Sequence, residues 1–600
     1  MRAIFTPPSS EEPITFQVSI TWHHLLIGVS ALLTLITLFI LPGKEFNDDC
    51  TVPFILWGAS ILLMLFALYK IDQTRSVQPS SLTRIDWLLF AGLVILAFLL
   101  RFWRISSIPF TMSGDEASQG IETLKVLKGE LRNPFVTAWY SVPSMNFFFN
   151  SLFMTFIPDR FVGLRLPYAL CGSLTVGGTY LLVRQLTGRR LGLLTGALTL
   201  VYHYHVHYSR VGSNQVLDPF FMVFALWALY RGLHENRLFY LGLSGVLTGM
   251  AMYFYAGARL TIILISGIFL FLAVRSLGKF LKKHWLGVVV FFIAFFITGA
   301  QMLQLGVQHP DEFNARVNQI GIIQSGWLDQ EAKILETSKI TILWNQFVQS
   351  FFGFTYYHDR TVWYKPDQPF LDPASSVLLY YGLLFSTILL FKDQRYLPFA
   401  AWWWSGTVFG SMLTESPPSS QRLVTLIIPT MFFVALAADR LIQLLQYSLP
   451  KLRGNLLYYI FLLLFSYSSL NFYFVEYTPR RSFGGPPAEA ATILAPLING
   501  AQGKYPVFLL VDPDTNTEFP TWIYLFDGEY TLLPGPIDMP TQDSFINEQT
   551  GALFISTPNR YEDLNKFSEA FPGGDMTQIR SQSIWETEFT LYWISPAQEN

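Results

Sequence analysis

Apolar runs long enough to cross a hydrocarbon core, which takes about 17–25 helical residues, recur along the chain from about residue 24 to about residue 474. Between them the basic residues fall into clusters: Lys70/Arg75/Arg84, Arg184/Arg189/Arg190, Arg231/Arg237, Arg275/Lys279/Lys282/Lys283, Lys392/Arg395 and Arg440/Lys451/Arg453. The positive-inside rule puts each cluster on the cytoplasmic side, so every second loop is internal. The alternation works only if FFFNSLFMTF, residues 147–156, does not cross. That run is short and bracketed by Pro143 and Pro158, as an interfacial or re-entrant helix would be. The pattern predicts an α-helical polytopic membrane protein of about thirteen crossings, with its N-terminus inside and its C-terminus outside.

This topology divides the chain into residues 1–84, carrying two additional helices, a transmembrane core at 85–474, and an external tail at 475–600. Two large external loops, 104–162 and 306–375, belong to the core, and function is expected there. The second loop alternates amphipathic pieces with aromatics, as in HPDEFNARVNQI and WLDQEAKILETSKITILWNQFVQSFFGF, which suits a segment lying along the membrane surface. The tail changes character. KYPVFLLVD, TWIYLFDG, GALFIST and EFTLYWIS read as strands, and AEAATILAPLI and YEDLNKFSEAF read as helices. A small extracytoplasmic α/β domain results, without a phosphate-cradling glycine fingerprint.

Composition sharpens the class. The chain is 51% hydrophobic, 16% aromatic and 14% charged, with a mean hydropathy of +0.36. A soluble globule would carry about a quarter of its residues as charges. The net charge of −2 offers no basic footprint, so nucleic acid is not an expected partner. Cys50 and Cys171, one at a span boundary and one inside an apolar run, indicate no disulfide framework. The start, MRAIFTPPSSEEPITF, lacks a compact basic segment leading into a short apolar core, so the first span reads as a retained helix.

The densest candidate chemistry is RFWRISSIPFTMSGDEASQG, residues 101–120, where a span ends in Arg101 and Arg104 and the next loop carries Asp115 and Glu116 side by side. A carboxylate at the bilayer surface can take a proton from an acceptor hydroxyl while a lipid-borne donor arrives from the side. The competing reading is a solvated acidic loop. Arg210 in YSRVGSN, Arg259 in YAGARL and Arg422 at the start of a span all fall at external helix ends. Guanidinium groups converging there would give forked hydrogen bonds to a leaving phosphate, although each could equally snorkel to headgroups.

The ordered set of segments resembles the GT-C glycosyltransferases of the protein O-mannosyltransferase and aminoarabinose-transferase type. The matching pieces are GDE at 114–116, RLPYALCGSLTVGGTYLLVRQLTG at 165–188, HVHYSRVGSNQVLDPFF at 205–221, YFYAGARL at 253–260, HPDEFNARV at 309–317 and SSQRLVTLIIP at 419–429. The resemblance implies a polyprenyl-phosphate-linked sugar donor, membrane lipid around it and an extracytoplasmic acceptor, which is a protein, lipid or glycan. It also implies that Asp115 is the catalytic base, with Glu116 beside it. Arg259, Arg210 and Arg422 would hold the donor phosphate, and in-line attack would invert the anomeric carbon.

His203, His205 and His207 in HYHVHYSR invite a metal reading, yet on a helix His205 points away from the other two. No cofactor is expected. A divalent ion is compatible with the reading and not required by it. Trp402–Trp404 lies inside a predicted span and reads as packed or lipid-facing aromatic surface. Two other classes stay open: a lipid-linked-sugar transporter or flippase, which should show repeat symmetry and ionisable groups at mid-membrane, and a non-catalytic scaffold.

Overall fold

The computed structural model describes residues 22–451, 453–512, 515, 517–537 and 551–595. The N-terminal stretch read above for a signal peptide lies outside the described residues. Among the described residues nine helices are long and apolar enough to span a membrane. They are Trp22–Ile40, Thr51–Thr74, Arg84–Phe102, Arg160–Thr187, Asn214–Glu235, Ala256–Arg275, Lys279–Gln308, Ser420–Ser448 and Gly454–Arg480. Leu238–Ala251 and Pro373–Leu389 are shorter and equally apolar. Arg189–Val201 resumes after Tyr202 as His203–Tyr208, and Leu397–Thr407 runs into a π turn at Val408–Met412. The nine long helices and these shorter segments stand beside the expectation of about thirteen crossings. Helices are what this pattern must form, because inside lipid each backbone polar group has to be satisfied within its own segment. The run at 147–156 forms only the ten-residue helix Met145–Met154.

Burial separates a core from a lipid-facing shell. Arg160–Thr187, Asn214–Glu235 and Ser420–Ser448 sit at the centre, whereas Trp22–Ile40 and Arg84–Phe102 expose most of their apolar surface. The first two helices, which the family resemblance does not explain, are bound to the bundle by polar contacts. The Trp57 indole N–H donates to the Thr298 carbonyl at 2.8 Å, and the Gln304 amide to that of Leu38 at 2.8 Å. Such bonds hold helices together where the apolar surroundings supply little drive for association. Trp402 and Trp403 are fully buried in the bundle, and both cysteines are free and buried.

Helices fill the two large loops: Gly114–Leu127 and Met145–Met154 in the first, Pro310–Ile320, Trp327–Ile334 and Lys339–Phe351 in the second. The tail folds into a five-stranded sheet of β1 (Val507–Leu510), β2 (Thr531–Leu532), β3 (Ala552–Ser556), β4 (Asp575–Arg580) and β5 (Glu588–Ile594), ordered β2-β1-β3-β5-β4. β1 pairs in parallel with β2 and β3, and β5 runs antiparallel between β3 and β4. Helices Gly485–Ala501 and Tyr561–Ala570 match the helical stretches read from the sequence. TWIYLFDG does not form the expected strand; Pro520–Leu525 is a helix. Proline at its first turn favours a helix start, and the aromatics are used for packing rather than pairing. Trp522 enters the domain core, and Tyr524 presses against the helix that carries Asp115. That tertiary demand overrides the strand propensity of the run.

Candidate functional site

Helix Gly114–Leu127 starts at Ser113, whose hydroxyl accepts from the Glu116 N–H at 3.2 Å. The helix begins where the sequence demands it, with a Ser cap and acids in the first turn. Its two acids then have opposite fates. Glu116 is fully buried and bound by Arg165, itself fully buried, through Nε at 2.5 Å and Nη2 at 3.1 Å. The Gly212 N–H adds a bond at 2.8 Å to the same carboxylate. Arg165 also donates to the carbonyls of Ile105, Pro109 and Thr111 at 2.8–3.2 Å. One guanidinium thus ties the loop after the third span, the active helix and the fourth span into one unit.

Asp115 is half-buried and makes no side-chain hydrogen bond or ion pair among the described residues. Burial pushes its carboxyl up to a pKa of about 7, and the Arg316 guanidinium opposes that rise. Arg316 comes from helix Pro310–Ile320, in the second large loop. Tyr255 marks the rest of the cluster. Burial pushes its phenol up to about 12, and Asp218, Arg316, Arg422 and Asp115 all contribute to the field at it. Asp218 is buried at the start of its span, and its Oδ1 has no hydrogen-bond partner. A Cβ at position 257 would lie 2.2 Å from Asp218 Oδ2, so only glycine lets that backbone pass the carboxylate. Asp115, Asp218, Tyr255, Arg316 and Arg422 therefore converge from five separate elements.

The three arginines proposed for a phosphate do not behave alike. Arg210 is fully buried and donates to the carbonyls of Leu100, Arg101, Trp103, Arg104 and Ile108 at 2.7–3.3 Å. They include the unpaired acceptors at the end of the third span and carbonyls of the loop that follows, so Arg210 caps that helix and has no donors left for a ligand. Arg259 gives one bond, Nη2 to the Phe313 carbonyl at 3.0 Å, and stacks on the Phe313 ring at 3.6 Å, while its Nε is unpaired. Arg422 donates Nη1 to the Glu415 carbonyl at 2.5 Å and also leaves Nε unpaired. Arg259 and Arg422 thus retain buried donors that a phosphate oxygen can take.

The three histidines turn to different partners. His203 Nδ1 lies 2.7 Å from the Tyr364 hydroxyl, His205 Nδ1 2.8 Å from Arg101, and His207 Nε2 3.1 Å from the Trp363 carbonyl. Among the described residues no group of three or more His, Cys, Asp or Glu side chains could hold a metal ion.

The C-terminal domain braces the active helix from behind. A Cβ at position 120 would lie 2.4 Å from the Tyr524 ring, so glycine there lets the two helices touch. Thr521 Oγ1 donates to the Met112 carbonyl at 3.2 Å, and the Tyr524 hydroxyl to that of Arg160 at 3.0 Å. Arg160 returns bonds to the Tyr524 carbonyl and the Asp527 carboxylate.

Sequence reading assigned no role to Arg165, Asp218, Tyr255 or Arg316, although all four lie inside motifs quoted for the resemblance. One signal was present: Asp218 is an acid in an otherwise apolar span, NQVLDPFFMVFALW, and intramembrane acids are rare and functional.

Residues 141–299 match the family described as dolichyl-phosphate-mannose-protein mannosyltransferase. The matched stretch bears out the resemblance read from the sequence. It contains Arg165, Arg210, Asp218, Tyr255 and Arg259, whereas Asp115, Arg316 and Arg422 lie outside it. No curated protein matches the chain as a whole. Among solved structures, ArnT from Cupriavidus metallidurans bound to undecaprenyl phosphate aligns at 15% identity and TM-score 0.46, over 85% of this chain and 98% of that one. AglB from Archaeoglobus fulgidus, in complex with an inhibitory peptide and a dolichol-phosphate, aligns at 12% identity and TM-score 0.43, over 86% and 74%.

Proposed function

We propose that this chain is a membrane glycosyltransferase that moves a single sugar from a polyprenyl-phosphate carrier to a hydroxyl of an extracytoplasmic acceptor, with inversion. The observation that carries the reading is Asp115: an unpaired, partly desolvated carboxylate with a pKa of about 7, at the rim of a cluster in which the Arg422 guanidinium keeps a buried, unpaired Nε. A general base poised near neutral pH suits proton abstraction from a hydroxyl. Asp115 takes the acceptor proton as the acceptor oxygen attacks the anomeric carbon. The bond from that carbon to the phosphate oxygen breaks, and the electron pair leaves with the lipid phosphate. Arg259 and Arg422 hold the phosphate and stabilise the charge it gains, and Arg316 supports them from the loop. Glu116 acts as a positioning residue through Arg165, and Arg210 is left out of the phosphate set. The match to a mannosyltransferase family over residues 141–299 supports a lipid-phosphate sugar donor.

The test is single-turnover reaction of the purified full chain with polyprenyl-phosphate mannose and a delipidated envelope extract as the source of acceptor hydroxyls, reading free polyprenyl phosphate by mass spectrometry. Release of lipid phosphate, abolished in Asp115→Asn, is expected. Donor that binds or crosses vesicles without release of lipid phosphate would instead make the chain a transporter.

A further inference from the structure

The C-terminal domain contains a cavity that the transfer step does not use. β1 is flanked by parallel neighbours on both sides, and the chain passes from β1 to β2 on one side and then to β3 on the other. The carboxyl ends of β1 and β3 therefore open onto a crevice where the strand order reverses, the place at which parallel α/β sheets bind ligands. The cavity there measures about 560 Å³, inside the ordinary range for small-molecule sites, about 300–1,000 Å³.

Its polar framework is already tied together. Beyond β3, Thr557 Oγ1 and Asn559 Nδ2 donate to Asp512 Oδ2, beyond β1, at 2.8 and 3.2 Å. Arg560 is committed to Asp563 at 2.6 Å and to the carbonyls of Leu533 and Gly535. Lys566 is committed to the Ile537 carbonyl at 2.5 Å and to Asp563. Both cations are thus engaged by protein acceptors, which pins the segment after β2. Among the described residues two carboxylates remain for a ligand: that of Asp512, and that of Glu562, which is exposed and without an ion pair. The same cavity is lined by apolar surface, with Leu532 43% exposed and Pro534 near it in the chain. An anion would meet carboxylates, and the charges of both cations are already balanced by Asp563 and backbone carbonyls. A ligand rich in hydroxyls would donate to those carboxylates and lay its C–H face on the apolar surface.

We propose that this crevice binds neutral sugar residues of the acceptor, so that the acceptor is a glycan or a glycan-bearing molecule. The inference rests on reading the chain as a glycosyltransferase, and it deepens that reading. Because the domain is braced on the helix that carries Asp115, a glycan held in the crevice sits at a fixed offset from the base.

The test is saturation-transfer NMR on the full chain in nanodiscs, with maltotriose, mannotriose and chitotriose as probes. At least one should bind. Glu562→Gln and the cavity-filling Leu532→Trp should each weaken it about tenfold, the scale of a lost hydrogen bond to a charged group, while Asp115→Asn leaves binding unchanged. Failure of all three probes to bind would overturn the proposal, as would binding that is indifferent to both variants or displaced by inorganic phosphate. Lipid-phosphate release without trisaccharide binding would sink the crevice and leave the transferase reading intact. Trisaccharide binding without lipid-phosphate release would do the reverse.

Discussion

Helix Arg84–Phe102 has a buried aspartate near its start and leads into the loop that carries Asp115 beyond its end, and the two acids are housed in opposite ways. Asp86 accepts from Arg184 and Arg189 at 3.0 and 2.9 Å, from the Tyr180 hydroxyl at 2.8 Å and from the Thr83 N–H at 2.8 Å. Asp439, on the same basic rim, is bound by Arg190 and the Tyr458 hydroxyl. These carboxylates are fully satisfied, as buried charges in a stable scaffold must be. Asp115 has no such partners among the described residues, and Arg422 in its cluster keeps an unpaired Nε. Incomplete pairing costs stability, and a fold retains it where a ligand is to complete the set. Asp86 and Asp439 hold helices together, whereas Asp115 leaves its carboxylate open.

Several substitutions would break or sharpen this contrast. Asp115→Asn should cut transfer about a hundredfold or more while leaving thermal stability and donor binding in place; wild-type turnover by this variant would move the base elsewhere. The same group sets the pH profile. Its folded pKa is raised to about 7, so the working, deprotonated form accumulates as pH rises. The rate constant kcat/KM should climb about tenfold per pH unit below that value and level off above it, and a flat profile across pH 5–8 would exclude Asp115 as the base.

Arg259→Ala should weaken binding of the polyprenyl-phosphate donor about tenfold, with lysine restoring only part because a point charge lacks the fork. Arg210→Ala should lower the melting temperature and leave donor affinity unchanged; a donor defect there would return Arg210 to the phosphate set. Glu116→Gln should leave Arg165 buried without its counter-charge, a loss of about 3–5 kcal/mol, seen first as a lower melting temperature and then as a lower kcat at constant donor KM. Asp86→Asn should have the smallest effect on transfer: reduced thermal stability with kcat intact in the folded fraction. A large kcat loss would mean that the basic rim also shapes the site.

Nine spans among the described residues were legible because lipid imposes a one-dimensional test, about twenty apolar residues in a row, whereas the break at Tyr202 divides 189–208 into two short helices. The tail was legible in part. KYPVFLLVD, GALFIST and EFTLYWIS became strands, while TWIYLFDG became a helix because Tyr524 and Trp522 are claimed by packing that lies outside their own segment.

The sequence by itself determined the helical, multi-pass architecture, the two large loops and the location of the acidic pair, since each depends on local composition or on spacing along the chain. Only the tertiary structure decided which acid is free. Asp115 and Glu116 are neighbours in sequence, yet a helix turns about 100° per residue, sending one toward Arg165 and leaving the other at the rim. The arginines divide for the same reason. Arg210 and Arg259 both stand at helix ends, and what separates them is whether carbonyls from a distant segment, the end of Arg84–Phe102, reach the guanidinium. A charge becomes structural or functional through the partners that folding brings to it, and those partners lie far away along the chain.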